Sequence, residues 1–132
     1  MYKFGKTNSE DILERYDPGV HTQRGWRNIP LGRDYNIKVL WSMWVSKDRA
    51  IKAEKWFKEK YPKKFFTLAA YNGITECRDW TVEESRFFTE LLHRYYPKTP
   101  EYWEEIAKLK REGTLKSTYD KVYFIMLTRK TK

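Results

Sequence analysis

Residues 121–128, Lys-Val-Tyr-Phe-Ile-Met-Leu-Thr, form the segment whose conformation distinguishes the possible folds of this chain. The run is dense in β-branched and aromatic side chains, which favours a β-strand. A helix is the competing interpretation, because a short apolar run does not by itself distinguish the two. If the segment is a strand, it can complete a sheet that begins with residues 1–7.

The rest of the chain alternates between strand and helix patterns. Strands are predicted at 1–7, 37–45 and 65–71, with 74–78 extended, and helices at 10–16, 47–60, 82–96 and 100–112. Ser46 or Asp48, Thr81 and Thr99 are the predicted N-caps, and Gly113 ends the last helix. We therefore predict one domain, residues 1–132, of the α/β (α+β) class. Its small, mainly antiparallel three-stranded sheet is flanked by helices, with a helical extension at 97–113 and a final strand at 120–128.

The net charge points to a polyanionic partner. The chain has 132 residues, and its 27 Lys and Arg against 18 Asp and Glu give a net charge of +9. A small domain this basic typically binds nucleic acid, although charge can also serve solubility alone. Residues 1–66 supply most of the excess, with 15 basic and 8 acidic side chains.

Cysteine content and hydropathy bear on location. Cys77 is the only cysteine, which excludes an internal disulfide and favours a reducing cytoplasm. No apolar run approaches the roughly 18 residues that a membrane span needs, so we expect no membrane partner.

Glu54 is the most informative residue of the predicted helix 47–60. It falls on the same helical stripe as Ala50, Ala53 and Phe57, which we expect to pack against the sheet. A carboxylate on an apolar face is costly unless it is paired or binds a cation. A salt bridge is one interpretation; the other is a Mg²⁺ ligand, because Mg²⁺ uses few protein carboxylates together with water and phosphate oxygens.

The first strand is predicted to end in a glycine turn with basic groups nearby. In Phe4-Gly5-Lys6-Thr7, backbone N–H groups and the Lys6 ammonium could face a phosphate. Arg15 follows, either as a phosphate clamp or as a solvated side chain. A long basic loop at 19–36 then adds candidate substrate contacts at His21, Arg24 and Arg27.

Taken together, these segments resemble the GIY-YIG nuclease family, in its phage-type variant with a Lys-Ile-Gly-like second motif. The resemblance is carried by Tyr2-Lys3-Phe4-Gly5-Lys6-Thr7, Arg15, the hydrophobic strand, Ala53-Glu54, and Asn-Gly-Ile-Thr-Glu-Cys-Arg at 72–78. It implies a DNA endonuclease that uses one divalent metal, Mg²⁺ or Mn²⁺, and no other cofactor. It also implies that Gly5 is the second-motif glycine, that Arg15 stabilises the phosphate and that Glu54 holds the metal.

Two departures from the family pattern concern its tyrosines. Lys3 occupies the second-motif tyrosine position, and Tyr2 lies one residue earlier. Because alternate residues of a strand face opposite sides, we expect Lys3 rather than Tyr2 to face the site, as a phosphate contact or a base. The strand that carries the first tyrosine motif does not precede residue 2, and the segment around Tyr123 resembles it. We therefore predict a circular permutation in which the last strand pairs beside residues 1–7 and Tyr123 is the activating tyrosine.

Two alternatives lack catalysis. One is a DNA-binding module on the same scaffold. The other is a Myb/SANT-like helical unit in 80–127, suggested by Trp80-Thr81-x-Glu83-Glu84 and Trp103-x-x-Ile106-Ala107. The helical unit requires a third helix at about 116–127, so the conformation of the last segment discriminates between it and the nuclease.

Overall fold

A computed structural model describes residues 2–13, 35–61, 77–78 and 80–129. Within these ranges the strands are β1 (Tyr2–Thr7), β2 (Tyr35–Ser46), β3 (Cys77–Arg78) and β4 (Tyr119–Arg129). The helices are α1 (Lys47–Lys60), α2 (Val82–Tyr95), α3 (Pro100–Glu112) and the single turn α4 (Leu115–Thr118). The predicted strand at 65–71, the basic loop at 19–36 and the predicted helix beyond residue 13 lie outside the described residues.

The last segment is a strand, and it lies inside the sheet rather than at its edge. The strand order is β2-β4-β1-β3, so β4 pairs with both β1 and β2, and all of the pairings are antiparallel. β3 adds two residues beside Tyr2 and Lys3, which leaves β1, β2 and β4 as the main three-stranded sheet. The predicted small α+β fold is confirmed. The competing helix at 116–127 is wrong, because only Leu115–Thr118 is helical before β4 begins.

One side of the sheet, which we call the core face, carries the hydrophobic core. Tyr2 and Phe4 of β1 lie on it opposite Met126 and Phe124 of β4. Helices α1 and α2 cover this face through a shared set of buried apolar side chains: Ala50, Ala53 and Phe57 from α1, and Phe88 and Leu92 from α2. The spacing of these side chains along each helix is the apolar stripe expected for a helix that packs on one face of a sheet.

The opposite side, which we call the second face, carries Lys3, Gly5, Tyr123 and Ile125. Lys3 pairs with Ile125 and Gly5 with Tyr123, and directly paired residues of antiparallel strands point to the same side. At one end of this face, Trp44 packs with Ile106 of α3 and Leu115 of α4. The Tyr102 hydroxyl accepts a 3.0 Å hydrogen bond from the Trp44 backbone N–H, and burial raises the pKa of Tyr102.

An irregularity between Val39 and Trp41 changes which residues of β2 point to each face. Val39 pairs with Ile125 of the second face, whereas Trp41 pairs with Phe124 of the core face. Residues two apart in a regular strand share a face, so the extra residue of a bulge is what reverses the alternation.

The helix ends follow the local sequence signals. Ser46 Oγ accepts from the Arg49 backbone N–H at the start of α1, and Thr81 and Glu84 form a reciprocal capping box at the start of α2. Thr99 caps α3, which ends at Gly113 in the left-handed conformation with φ of 73°. The predictions of these caps and of this stop are confirmed, with Ser46 rather than Asp48 as the cap of α1.

Candidate functional site

Lys3, Gly5 and Tyr123 meet on the second face of the sheet, on the two central strands. The Lys3 Nζ atom donates a hydrogen bond of 3.4 Å to the Tyr123 hydroxyl and lies 5.4 Å from the centre of its ring. The exposed fractions are 2% for Lys3 and 0% for Tyr123. An ammonium and a phenol are thus held together in a buried environment, where polar interactions are stronger than in water.

Gly5 makes this arrangement sterically feasible. A Cβ atom at position 5 would lie 2.7 Å from the Tyr123 hydroxyl oxygen and 2.8 Å from Lys3 Nζ. Gly5 lies inside β1, so the predicted glycine turn is wrong. The reason for a glycine here is the close approach of two side chains to the backbone, not a turn conformation.

Substitution of Gly5 by alanine tests this close contact. The methyl group would collide with the Tyr123 ring, which is fully buried and therefore has little room to move. We expect Gly5→Ala to lower the free energy of unfolding by about 1–3 kcal/mol, as overpacking usually does. Urea unfolding followed by circular dichroism measures this. Unchanged stability would show that the Lys3 and Tyr123 side chains can move away from position 5 without lowering the free energy of unfolding.

Lys3 and Tyr2, the two candidate site residues at the start of β1, have different surroundings. Lys3 contacts Tyr123, as expected from the alternation of the strand. Tyr2 lies on the core face, where its ring stacks on Phe124 with centroids 5.8 Å apart, and only 4% of it is exposed. The structure therefore brings Lys3, and not Tyr2, together with Tyr123.

Lys6 belongs to a different polar cluster. Lys6 pairs with Val122, which places it on the core face. Its Nζ atom lies 4.0 Å from Asp120 Oδ2, and Lys47 Nζ lies 3.7 Å from Asp120 Oδ1. Asn8 Nδ2 also donates to Asp120 Oδ1 at 2.9 Å. This cluster joins β1, β4 and α1 around a mostly buried carboxylate, and neither Asn8 nor Asp120 is identifiable for this role from sequence spacing.

Lys121, a residue of β4, forms a hydrogen bond to the segment that follows β1. Its Nζ atom donates a 2.7 Å hydrogen bond to the Glu10 carbonyl oxygen and lies 5.1 Å from the centre of the Trp44 ring. Burial lowers the pKa of Lys121, and the nearby Glu10 carboxylate opposes that effect. These contacts point to a structural role beside the site.

Glu54 lies on α1, the helix whose Ala50, Ala53 and Phe57 pack on the core face. It is partly buried, between Ala53 and the exposed Lys55. Because α1 packs on the core face and Tyr123 points to the second face, the two groups come from different layers of the fold. No group of three or more potential metal-ligating side chains occurs within the described ranges. Within these ranges, a metal at Glu54 would have fewer than three side-chain ligands of these types, which suits Mg²⁺ if substrate phosphate and water supply the others.

Four residues that are predicted to contact the phosphate or the substrate lie outside the described residues: Arg15, His21, Arg24 and Arg27.

In the part of the chain that the structure does describe, no helix is long and apolar enough to cross a membrane.

Comparisons with known proteins leave the family open. Neither the protein-family models nor the curated proteins nor the solved structures gave a match to this chain. Interpretation of the site therefore depends on its own residues and geometry.

Proposed function

We propose that this protein is a divalent-metal-dependent DNA endonuclease with a circularly permuted GIY-YIG-like domain. The observation that carries the proposal is the adjacency of β4, β1 and β3 in one sheet. These strands contain Tyr123, the Lys3-Phe4-Gly5 motif and the end of the 72–78 stretch, which are separate in sequence and each resemble the nuclease family. Their adjacency brings the Tyr123 segment and the Lys3-Phe4-Gly5 motif together in one sheet, while Glu54 lies in the helical layer.

In the proposed reaction, the Tyr123 hydroxyl takes part in proton transfer, and the Lys3 ammonium interacts with the charge of the phosphate. A phenol oxygen that accepts from an ammonium is positioned to orient a water molecule, and the ammonium can hold a phosphate oxygen. Both side chains are buried in this structure. DNA cleavage at this site therefore requires that the pair become accessible when substrate binds.

Glu54 is the proposed metal ligand. A bound Mg²⁺ would stabilise the negative charge that develops on the phosphate during hydrolysis. Glu54 itself would orient the metal through one carboxylate. Glu54 lies on the helix that packs on the core face, whereas Tyr123 points to the second face. The metal site and the Lys3–Tyr123 pair are therefore separate parts of the proposal, and each is tested by its own variant.

The exposed side of α1 supports DNA as the partner. Six basic side chains of this 14-residue helix are exposed: Lys47, Arg49, Lys52, Lys55, Lys58 and Lys60. A row of cations on one helix is typical of a surface that contacts the phosphate backbone. Glu54 is then a partly buried acid within a basic surface, where it could meet a metal and a phosphate together.

Plasmid cleavage tests the metal assignment. We expect the parent protein to nick or cut plasmid DNA with Mg²⁺ and to lose this activity in EDTA. Glu54→Gln is expected to reduce the rate by about 10–100-fold at low Mg²⁺, with partial recovery at high Mg²⁺, because one ligand is weakened. Glu59→Gln, an exposed change on the same helix, is the matched control and is expected to cleave like the parent.

The outcomes separate the alternatives. Equal rates for Glu54→Gln and the parent would contradict the metal assignment. Failure of the parent to cleave any DNA, together with binding that weakens steeply with salt, would instead identify the non-catalytic DNA-binding module.

A further inference from the structure

A cavity lies on the helical side of the core, away from Lys3 and Tyr123. Its volume is about 300 Å³, and it opens between the end of α1 and the first two turns of α2. The lining is mostly apolar and comes from four aromatic residues and two glutamates: Tyr61, Trp80, Phe87, Phe88, Glu83 and Glu84. The proposed nuclease reaction uses none of these residues.

Three of the rings are steeply inclined to one another. Tyr61 and Trp80 have centroids 5.3 Å apart and an interplanar angle of 71°, and Tyr61 and Phe88 are 5.3 Å apart at 86°. Trp80 and Phe88 are 5.2 Å apart at 64°. Each pair is thus in edge-to-face contact, so these three rings pack against one another beside the cavity. Phe87, which is 66% exposed, adds a fourth ring at the surface.

Among the described residues that line this cavity, the charged ones are acidic, whereas the protein as a whole is basic. Glu83 and Glu84 occupy the first turn of α2, and the Glu84 carboxylate also accepts from the Thr81 backbone N–H in the capping box. The two full negative charges exceed the partial positive charge of about half a unit at a helix N-terminus. The cavity therefore offers aromatic faces and a negative rim in a protein of net charge +9.

We propose that this cavity binds an N-alkylated ammonium group. Aromatic faces attract cations through the negative potential above the ring, and Tyr61, Trp80 and Phe87 contribute rings to this cavity. An unmethylated ammonium is compact and strongly hydrated, and apolar walls replace that hydration poorly. A methylated ammonium loses less on leaving water and presents methyl groups to the rings, while Glu83 supplies the countercharge.

A pair of isosteric probes tests the role of charge. Choline carries a trimethylammonium group, and 3,3-dimethylbutanol replaces that group by a neutral tert-butyl group of similar shape. We expect choline to bind at least about tenfold more tightly than the neutral probe, because only choline gains the cation–π and carboxylate attraction. Tryptophan fluorescence and the NMR shift of the Trp80 indole N–H report binding. Equal affinity of the two probes, or no response to either, would overturn the assignment.

Surface variants locate the site without disturbing the core. Phe87→Ala is expected to weaken choline binding by about three- to tenfold, and Glu83→Gln by about two- to fivefold. Glu90→Gln, an exposed change on the same helix that does not line the cavity, is the matched control and is expected to bind like the parent. Unchanged binding in both Phe87→Ala and Glu83→Gln would contradict the site.

Trimethyl-lysine, tested in parallel with choline, identifies the source of the ammonium group. Tighter binding of trimethyl-lysine indicates a modified protein side chain as the ligand, and tighter binding of choline indicates a small molecule or headgroup. These measurements need no DNA, so their result is independent of the proposed nuclease activity.

Discussion

Tyr123→Phe is expected to lower the rate of DNA cleavage by about 10²–10⁴-fold, the usual contribution of a positioned proton-transfer group. The change removes only the hydroxyl that accepts from Lys3 Nζ and leaves the buried ring in place. Single-turnover cleavage of plasmid DNA with saturating Mg²⁺ measures the effect. Tyr119→Phe is the matched control, since Tyr119 lies on the same strand and packs beside α3 and α4.

A stability measurement separates chemistry from folding in this experiment. Loss of one buried hydrogen-bonding group costs about 1–3 kcal/mol, so Tyr123→Phe should remain folded at room temperature. Thermal unfolding of both variants checks this. If Tyr119→Phe and Tyr123→Phe lose activity equally, or if Tyr123→Phe keeps full activity, Tyr123 has no specific role in cleavage.

Phe88→Ala is expected to lower the free energy of unfolding by about 3–5 kcal/mol, which is typical of a large aromatic side chain removed from a core. Phe88 is 1% exposed and contacts six other aromatic rings: Phe4, Trp56, Phe57, Tyr61, Trp80 and Phe124. It therefore joins both core-face helices to β1 and β4. A loss of this size is a large part of the roughly 5–15 kcal/mol that stabilises a typical domain.

The neighbouring residue provides the control for Phe88. Phe87 has the same side chain on the same helix but is 66% exposed, so Phe87→Ala is expected to change stability by no more than about 0.5 kcal/mol. Urea unfolding, fitted with a common slope, compares the two variants. Similar losses for both would mean that Phe88 is not the centre of this core.

The sequence was sufficient to predict the elements whose signals are local. The alternation of β1 predicted that Lys3 and Tyr2 face opposite sides, and the caps at Ser46, Thr81 and Thr99 predicted three helix starts. Each of these features depends on residues within one or two turns or on a single strand. Local patterns are for this reason the most reliable information in a single sequence.

Features that depend on distant residues were harder to predict. The resemblance of the Tyr123 segment led to the prediction that the last strand pairs beside residues 1–7. Nothing in the sequence indicated that β4 also pairs with β2, or that a bulge near Val39 reverses the faces of that strand. Glycine has several structural uses, and the sequence around Gly5 predicts a turn. Only the position of Tyr123 reveals that the close approach of side chains is the reason for glycine at this position.

The central position of β4 has a consequence for how the chain acquires its fold. β1 and β2 are synthesised first, but each pairs with β4 and they are not neighbours in the sheet. During translation, the two earlier strands therefore emerge without the partner that lies between them. The main sheet can assemble only after residues 119–129 have left the ribosome, so its formation depends on contacts between residues that are far apart in the sequence.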